Sequence, residues 1–397
     1  MEFAIKQIKH DIQDHRLGES DVSDKSQTTI STPRTYASSD GSSNLARSIH
    51  PSTEDVYIIK ETNGKGLGMF AIEDIPCGTL ILVEDPLFAL DTRCWSAEQL
   101  EDKINELDSH EQERFFSLHS VHDLPYNDPS DEYQHQWASF KEARQNHLAE
   151  VAHARSSGKK TASSIFAANM MDGSDEESDW KLVLCVTAAR INHSCLPNTH
   201  YVWNDANKAQ EFRVTRDVAA GEEITISYVY STERYEKRKK ILAEHYGFTC
   251  HCPACGNRDN WSSVAYQSYD RRFRLGELDR KLSSNSYLAN DNLWGRIRDR
   301  ILYIKLLQEE GLYTPTLGTE FGRVSRCYLS FALAGEGGLE QAIDYARSAV
   351  KVLTNCVGAE HINNVYEQKW LHAIESHGLN AVFVENGVLL LRGTNNL

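Results

Sequence analysis

The segment Arg190-Ile191-Asn192-His193-Ser194-Cys195-Leu196-Pro197-Asn198 is a compact polar stretch between two apolar regions. Taken alone, His193 is better explained as a hydrogen-bonded structural histidine than as a catalyst. Cys195 and His193 could form a nucleophile pair, but no glycine-rich nucleophile turn and no third partner accompany them. By itself, the segment predicts an ordered polar turn without a defined reaction.

A cluster of three cysteines follows in Cys250-His251-Cys252-Pro253-Ala254-Cys255. The nine cysteines of the chain form no regular disulfide pattern, and cysteines this close in an intracellular protein indicate metal binding. Zinc prefers four soft ligands in a tetrahedron, so one ligand must come from elsewhere. The candidates are Cys195, His245, His251, Cys185 or another distant residue. A reduced, partly buried cysteine cluster is the alternative to this structural zinc site.

Two shorter motifs lie on either side of these segments. Asn63-Gly64-Lys65-Gly66-Leu67-Gly68 is a glycine-rich turn between β-type runs, and glycine allows a ligand to approach the backbone closely. Gly221-Glu222-Glu223-Ile224-Thr225-Ile226-Ser227-Tyr228 is a turn followed by a strand-like run that ends on a tyrosine. Without further context, an ordinary hairpin turn and a core tyrosine explain both motifs.

The chain has 397 residues and a mass of 45.0 kDa, which allows two or three domains. Residues 1–52 are rich in Ser and Thr and poor in aromatic residues, which predicts a disordered tail. Residues 53–230 begin and end with β-type runs around a polar helical insert at about 96–165. The apolar run 182–186 could be a strand or a helix. The predicted strands are 56–59, 69–72, 79–84, 199–203, 211–218 and 223–228.

Helices dominate the second half of the sequence. Residues 231–258 combine a charged helix at 231–246, capped by Thr232, with the cysteine cluster. Within 262–397, one apolar stripe after a Gly-Gly pair resembles a tetratricopeptide-type helix pair. The stretch 381–391 instead predicts a terminal hairpin on an Asn-Gly turn. The expected fold class is therefore α+β.

Charge and hydropathy argue against several functions. With 42 basic and 57 acidic residues, the formal net charge is −15, which is unsuited to a general nucleic-acid binder. The basic stretch Lys237-Arg238-Lys239-Lys240 is the one feature that favours nucleic acid, and a solvated helix face explains it equally well. No apolar run approaches the length of a membrane span, and the N-terminus lacks the apolar core of a signal peptide. We expect an intracellular protein, in the nucleus, the cytoplasm or both.

Taken together, the four motifs resemble those of one family. The stretch 65–71 resembles the first motif of a SET domain. The stretch 190–198 resembles the Asn-His-Ser-Cys-x-Pro-Asn motif of that domain, and 221–228 resembles its Gly-Glu-Glu-Ile-Thr-x-x-Tyr motif. The cysteine cluster resembles the post-SET zinc site. Order and spacing agree over residues 56–255. The SET-and-MYND-like branch, as found in fungi, is the most similar. Residues 84–165 contain a single cysteine, Cys94, so they cannot form that branch's MYND finger.

The resemblance implies that the chain is a protein-lysine methyltransferase that uses S-adenosylmethionine. The implied fold is a β-rich SET domain with a pseudoknot, an exception to the rule that chains avoid threading, followed by a post-SET zinc site and a helical region. Tyr228 would be catalytic and Tyr246 would line the lysine channel. The zinc ligands would be Cys195, Cys250, Cys252 and Cys255. The residues implied to bind the cofactor are Lys65, Gly66, Leu67, Gly68, Asn169, Asn192, His193, Tyr228 and Phe248.

The leading hypothesis is a monomeric enzyme that methylates lysine on a histone or another protein. The acidic stretch 172–179 and the overall negative charge favour a basic substrate peptide. The alternative is a non-catalytic scaffold in which the SET fold and the helical region bind partners without turnover. Intact Gly66, Gly68, Asn192 and Tyr228 argue against the scaffold. We expect neither a membrane nor a nucleic acid as a direct partner.

Overall fold

The computed structural model describes residues 56–90, 95–121, 158–173, 181–284, 292–384 and 388–391. All of them belong to the structural unit Ser52–Leu397. The predicted disordered tail, the middle of the helical insert and most of the acidic stretch 172–179 lie outside the described residues.

Strands and helices are mixed in the first half of the described chain, and helices dominate the second half, as expected for an α+β protein. The strands are β1 (Tyr57–Thr62), β2 (Gly66–Ala71), β3 (Leu80–Glu84), β4 (Phe88–Leu90), β5 (Met170–Asp172), β6 (Leu182–Leu184), β7 (Asn192–His193), β8 (Thr199–Asn204), β9 (Ala209–Val214), β10 (Glu223–Ile226), β11 (Ala381–Val384) and β12 (Val388–Leu391). The helices are α1 (Ala97–Asn105), α2 (Ser109–Phe116), α3 (Ala162–Asn169), α4 (Tyr235–Tyr246), α5 (Val264–Leu282), α6 (Leu293–Glu309), α7 (Pro315–Leu333), α8 (Leu339–Val357) and α9 (Ile362–His377).

One sheet, with the strand order β1-β2-β10-β7, brings three of the sequence motifs together. β2 follows the glycine-rich turn and pairs antiparallel with both β1 and β10. β7 pairs parallel with β10, so that Asn192 lies opposite Thr225 and His193 lies opposite Ile226. Segments that are distant in sequence therefore meet at one edge of this sheet.

Two three-stranded sheets, β3-β9-β8 and β4-β6-β5, complete the strand-rich part. The ambiguous run 182–186 forms the central strand of the second sheet, and all three residues of β6 are buried. The strand predicted at 211–218 is observed as β9, which begins two residues earlier and ends at Val214, where the chain leaves the sheet. Val218 then forms an isolated bridge with Ile75.

The described part of the insert is helical, as predicted, and its three helices begin at side-chain caps. The side chain of each capping residue, Ser96, Asp108 or Thr161, accepts a hydrogen bond from the backbone amide of the third helical residue. The side chain of that third residue accepts a hydrogen bond from the backbone amide of the capping residue. The ring of Phe166 packs edge-on against Trp95, with 5.4 Å between centroids. These contacts anchor the insert to the strands through a core of its own.

Helix α4, which precedes the cysteine cluster, starts later than predicted. It begins at Tyr235, and Arg234 at its N-cap makes no side-chain cap bond. The prediction that Thr232 caps a helix from residue 231 is therefore wrong. The carbonyl of Ser231 instead accepts a hydrogen bond from the buried guanidinium of Arg272, which holds this stretch as a turn.

Within the described residues of the C-terminal region there are five α-helices, α5 to α9, and each contacts the next of them along the chain. Their shared core includes the fully buried side chains of Leu307, Val324, Ala346 and Trp370. α8 also packs on β8 and β9 of the strand-rich part. No helix in the described ranges combines the length and apolarity needed to cross a membrane.

The predicted hairpin at the end of the chain is confirmed. β11 and β12 pair antiparallel, with Val384 opposite Val388. The turn itself, 385–387, lies outside the described residues. The likeness of one helix pair to a tetratricopeptide unit stays a prediction.

Candidate functional site

Asn198 fixes the Asn-His-Ser-Cys segment to the strand that carries the Gly-Glu-Glu motif. Its side chain is 1% exposed, and Nδ2 donates to the carbonyl of Glu223 at 2.9 Å. Its Oδ1 accepts from the backbone amide of Thr225 at 2.8 Å. Together with the β7–β10 pairing, these bonds hold Asn192 and His193 next to the strand that leads to Tyr228.

The side-chain amide of Asn192 is held in one orientation by two acceptors. Its Nδ2 donates to the carbonyl of Leu67 at 3.1 Å and to Oε1 of Glu223 at 2.9 Å. The other oxygen of Glu223 accepts from Lys65 Nζ at 2.7 Å. Because both amide hydrogens of Asn192 have partners, Oδ1 is the atom with which it can accept a hydrogen bond from a ligand.

Gly68 leaves just enough room for this arrangement. A methyl group at this position would lie 2.8 Å from Asn192 Nδ2 and 2.6 Å from Thr62 Cγ2. Gly66, two residues earlier, has a φ of 71°, in the region that favours glycine. The side chain that approaches Gly68 closely is therefore Asn192. A close approach of the cofactor to the backbone of Lys65, Gly66 and Leu67 stays a prediction.

Four rings form an aromatic cluster beside this region: His193, Tyr228, Tyr246 and Phe248. The centroid of the Tyr228 ring lies 4.9 Å from that of Tyr246, 5.3 Å from that of His193 and 6.4 Å from that of Phe248. The Tyr246 hydroxyl also donates to the carbonyl of Tyr228 at 3.4 Å. Such a cluster can line an apolar passage with few polar groups.

The Tyr228 hydroxyl donates to the carbonyl of Ile191 at 2.6 Å. Burial, followed by the nearby Tyr246, Glu223 and Tyr201, raises the pKa of Tyr228 well above its usual value. The hydroxyl therefore stays protonated at neutral pH, and in this structure it serves as a hydrogen-bond donor. The predicted strand 223–228 ends two residues before this tyrosine.

His193 is neutral and has a defined tautomer. Burial lowers the pKa of His193 to about 4. Nδ1 accepts a hydrogen bond from the backbone amide of Tyr228 at 3.0 Å, so the ring hydrogen must be on Nε2. Nε2 lies 3.3 Å from Cys195 Sγ and donates to it. His193 thus connects the catalytic candidate with the cysteines.

Four cysteines bring one sulfur each within 4.8 Å of one another: Cys195, Cys250, Cys252 and Cys255. The sulfur of Cys195 lies 3.9 Å from that of Cys250 and 3.5 Å from that of Cys255. Four sulfurs bound tetrahedrally to zinc at about 2.3 Å would be separated by about 3.8 Å. The spacing therefore fits a tetrahedral metal site, and the structure selects Cys195 among the candidates for the fourth ligand.

Arg238 is buried against these cysteines. Its side chain is 1% exposed, and Nε lies 3.2 Å from Cys195 Sγ. The prediction of a solvated helix face for Lys237-Arg238-Lys239-Lys240 is therefore wrong at Arg238. It holds for Lys239 and Lys240, which are exposed.

Asn169, predicted to contact the cofactor, lies at the end of α3. Its Nδ2 donates to the carbonyl of Ile165 at 2.7 Å and to that of His119 at 2.9 Å. Within the described residues, no hydrogen bond links it to Asn192 or Tyr228. Its role stays a prediction.

Three contributors to this region were not predicted from the sequence: Asn198, Glu223 and Arg238. Asn198 and Glu223 belong to two of the four sequence motifs, and this was the one sequence feature that indicated a role for them in the site. The signal for Arg238 was its position shortly before the cysteines. The residues that these three side chains contact could not be predicted from motif spacing, because each contact joins segments that are distant in sequence.

Residues 66–229 match the family model of the SET domain. The chain contains a SET domain. The match runs from β2 to just beyond β10 and includes Gly66, Asn192, Cys195 and Tyr228. The family resemblance and the SET fold predicted from the sequence are therefore confirmed.

Two relatives illustrate how far the likeness extends. The histone-lysine N-methyltransferase set5 of Schizosaccharomyces pombe is 26% identical over 337 residues, which are 83% of this chain and 88% of the relative. The protein-lysine N-trimethyltransferase SMYD5 of Gallus gallus is 45% identical over 67 residues, 16% of each chain. Likeness to set5 thus continues beyond the SET domain, whereas likeness to SMYD5 is local.

Among solved structures, the SET domain of LSMT bound to lysine and AdoHcy is similar to this chain at 15% identity and a TM-score of 0.30. The alignment covers 83% of this chain and 89% of that chain. A TM-score this low does not support a correspondence between individual residues.

Proposed function

We propose that this chain is an S-adenosylmethionine-dependent protein-lysine N-methyltransferase whose substrate is a basic segment of a histone or another protein. The observation that carries the proposal is that, within a SET domain, the Tyr228 hydroxyl bonds the carbonyl of Ile191, the residue before Asn192, and the Asn192 amide bonds the carbonyl of Leu67. Relatives named as histone-lysine and protein-lysine methyltransferases support the reaction class.

The cofactor would lie against residues 65–68 of the glycine-rich turn. Gly68 permits close contact with Asn192, whose Oδ1 is oriented to accept from the ammonium of an amino acid. Lys65 would face the carboxylate, although it pairs with Glu223 in this structure. Phe248 offers a ring face for adenine. These residues fit a ligand that has a zwitterionic end and an aromatic end.

When bound, S-adenosylmethionine supplies a sulfonium methyl group, which the lysine nitrogen takes by in-line displacement as the carbon–sulfur bond breaks. The lysine must be neutral to attack. A lysine placed beside the rings of Tyr228 and Tyr246 would be favoured in its neutral form, because desolvation disfavours an ammonium. The protonated hydroxyl of Tyr228 and the carbonyl of Ile191 would orient the reacting groups.

The four cysteines would hold a structural zinc ion. Zinc with four thiolate ligands has no open position for a substrate, so its role is to hold the chain together. Cys250 stands two residues after Phe248 and four after Tyr246. A metal at this point would fix both rings against Tyr228.

The substrate would be a lysine-containing basic segment, and the enzyme would act as an intracellular monomer. The net charge of −15 is complementary to such a partner. A histone tail meets this requirement, as do basic segments of other proteins.

The test is S-adenosylmethionine binding by calorimetry, together with methyl transfer to histone peptides, on zinc-loaded protein. We expect Asn192→Ala to lose cofactor binding. Tyr228→Phe should keep the binding and lose at least about tenfold in transfer rate, because it removes one oriented donor. A folded, zinc-loaded wild type that binds no cofactor would contradict the proposal and favour the scaffold.

A further inference from the structure

Arg238 is a buried cation, and none of its partners among the described residues is a carboxylate. Its guanidinium donates to Cys195 Sγ at 3.2 Å and to the carbonyl of Glu233 at 2.5 Å, and it lies 3.9 Å from Cys255 Sγ. Within the part of the chain that the structure describes, no carboxylate forms an ion pair with it. A buried charge is strongly unfavourable unless an opposite charge compensates it. Among its described hydrogen-bond partners, the groups that can carry that charge are the cysteine sulfurs.

A second buried arginine reaches the same cysteine from the C-terminal region. Arg272 on α5 is fully buried and donates through Nη2 to the carbonyl of Cys195 at 2.5 Å. Its Nε donates to Oε1 of Glu310 at 2.6 Å, and Arg271 occupies the other oxygen at 2.7 Å. One carboxylate therefore serves two arginines, and this group keeps one net positive charge.

The charges of these groups match those of a metal centre. A divalent ion with four thiolates carries two net negative charges. Arg238 contributes one positive charge, and the pair Arg271 and Arg272 with Glu310 contributes another. The complete assembly is neutral, which is the condition for burying it at low cost.

We propose that Arg238 and Arg272 are the counter-charges of a metal–tetrathiolate centre, and that they join this centre to the C-terminal helical region. The inference rests on the zinc site proposed above. Arg238 stabilises the thiolates directly through hydrogen bonds to sulfur. Arg272 acts through the Cys195 backbone, so that docking of α5 and metal binding favour each other. Both are positioning residues, because their described hydrogen bonds go to cysteine sulfurs, backbone carbonyls and Glu310.

The decisive variant is Arg238→Met, which removes the charge but keeps much of the side-chain volume. Arg234→Met is the matched control, since Arg234 stands at the N-cap of the same helix and pairs with Glu277 instead of sulfur. Zinc affinity is measured by competition with a chromogenic chelator. Thermal unfolding is followed with and without zinc on the full chain.

We expect Arg238→Met to weaken zinc binding by about 10- to 100-fold, the range typical of residues that support metal ligands. Arg234→Met should stay within about threefold of wild type. Without zinc, Arg238→Met should unfold at the same or a higher temperature than wild type, because its thiols carry no charge that needs Arg238. Arg238→Lys, which keeps the charge, should recover part of the zinc affinity.

Two results would overturn the inference, and they are distinguishable. If wild type binds zinc and Arg238→Met binds it equally well, the counter-charge role is wrong and the zinc site stands. The same holds if Arg238→Met lowers the unfolding temperature equally with and without zinc. If the folded wild type binds no zinc, the metal centre fails and this inference fails with it.

Discussion

Replacing Gly68 by alanine should damage the cofactor site without introducing a charge or a large side chain. The new methyl group would lie 2.6 Å from Thr62 Cγ2, 2.8 Å from Asn192 Nδ2 and 3.1 Å from Glu223 Oε1. All three neighbours are side-chain ends, so they can move and the fold can form. Asn192 must shift by several tenths of an ångström, which breaks the geometry of its bonds to Leu67 and Glu223.

The size of the effect follows from the bonds that Asn192 can no longer make. A hydrogen bond to a charged partner contributes about 1.5–3 kcal/mol, and the ammonium of the cofactor is such a partner. We therefore expect S-adenosylmethionine to bind about 10- to 100-fold more weakly to Gly68→Ala. Calorimetry gives the affinity, and urea denaturation gives the free energy of unfolding.

Gly64→Ala separates a local effect from general destabilisation. Gly64 has a φ of 80°, and a methyl group added there would have no atom within 4 Å. Alanine at this position therefore adds backbone strain of about 1–2 kcal/mol and touches no site residue. Its cofactor affinity should stay within about threefold of wild type. Unchanged affinity in Gly68→Ala, or an equal loss in both variants, would refute the role given to Asn192.

Three further predictions follow from the described geometry. Because burial raises the pKa of Tyr228, ionisation of this hydroxyl should not reduce kcat/KM up to about pH 10. The rate should instead rise with pH as the substrate lysine loses its proton. A decline in kcat/KM that starts below about pH 9 would contradict this. Asn198→Ala leaves the Thr225 amide and the Glu223 carbonyl without their partner, so urea denaturation should show a loss of about 2–4 kcal/mol in the free energy of unfolding. Removing zinc with a chelator should lower the unfolding temperature. It should also lower cofactor affinity, because the zinc-bound cysteines would anchor the nearby Phe248. A loss of stability without a loss of affinity would show that the metal does not support the cofactor site.

Short-range patterns predicted the parts of the site that depend on local chemistry. Three cysteines in six residues indicated a metal site because a metal needs several ligands at one point. The glycines around the start of β2 indicated room for a close contact, and the Asn192 side chain makes such a contact at Gly68. These signals work because neighbouring residues in the sequence are also neighbours in space.

The failed or missing predictions concern contacts between distant segments. Thr232 has a side chain suited to capping, but Arg272, some 40 residues later, bonds the carbonyl of Ser231 and holds that stretch outside α4. Arg238 belongs to a run that looks like a solvated face. Its burial depends on Cys195, 43 residues earlier in the chain. No periodicity contains such information, because the partners meet only after the sheets and the C-terminal helices have packed.

Cys195 shows why the matched SET segment should not be regarded as a self-sufficient part of this chain. Its sulfur belongs to the four-cysteine cluster that could hold a metal, and it accepts a hydrogen bond from His193, whose ring in turn accepts one from the Tyr228 amide. Its carbonyl accepts from Arg272, which lies outside residues 66–229. Without α5, this carbonyl would lose its partner next to the cysteines that support the aromatic cluster. The geometry around Tyr228 therefore depends on a helix that carries no residue predicted to take part in the chemistry.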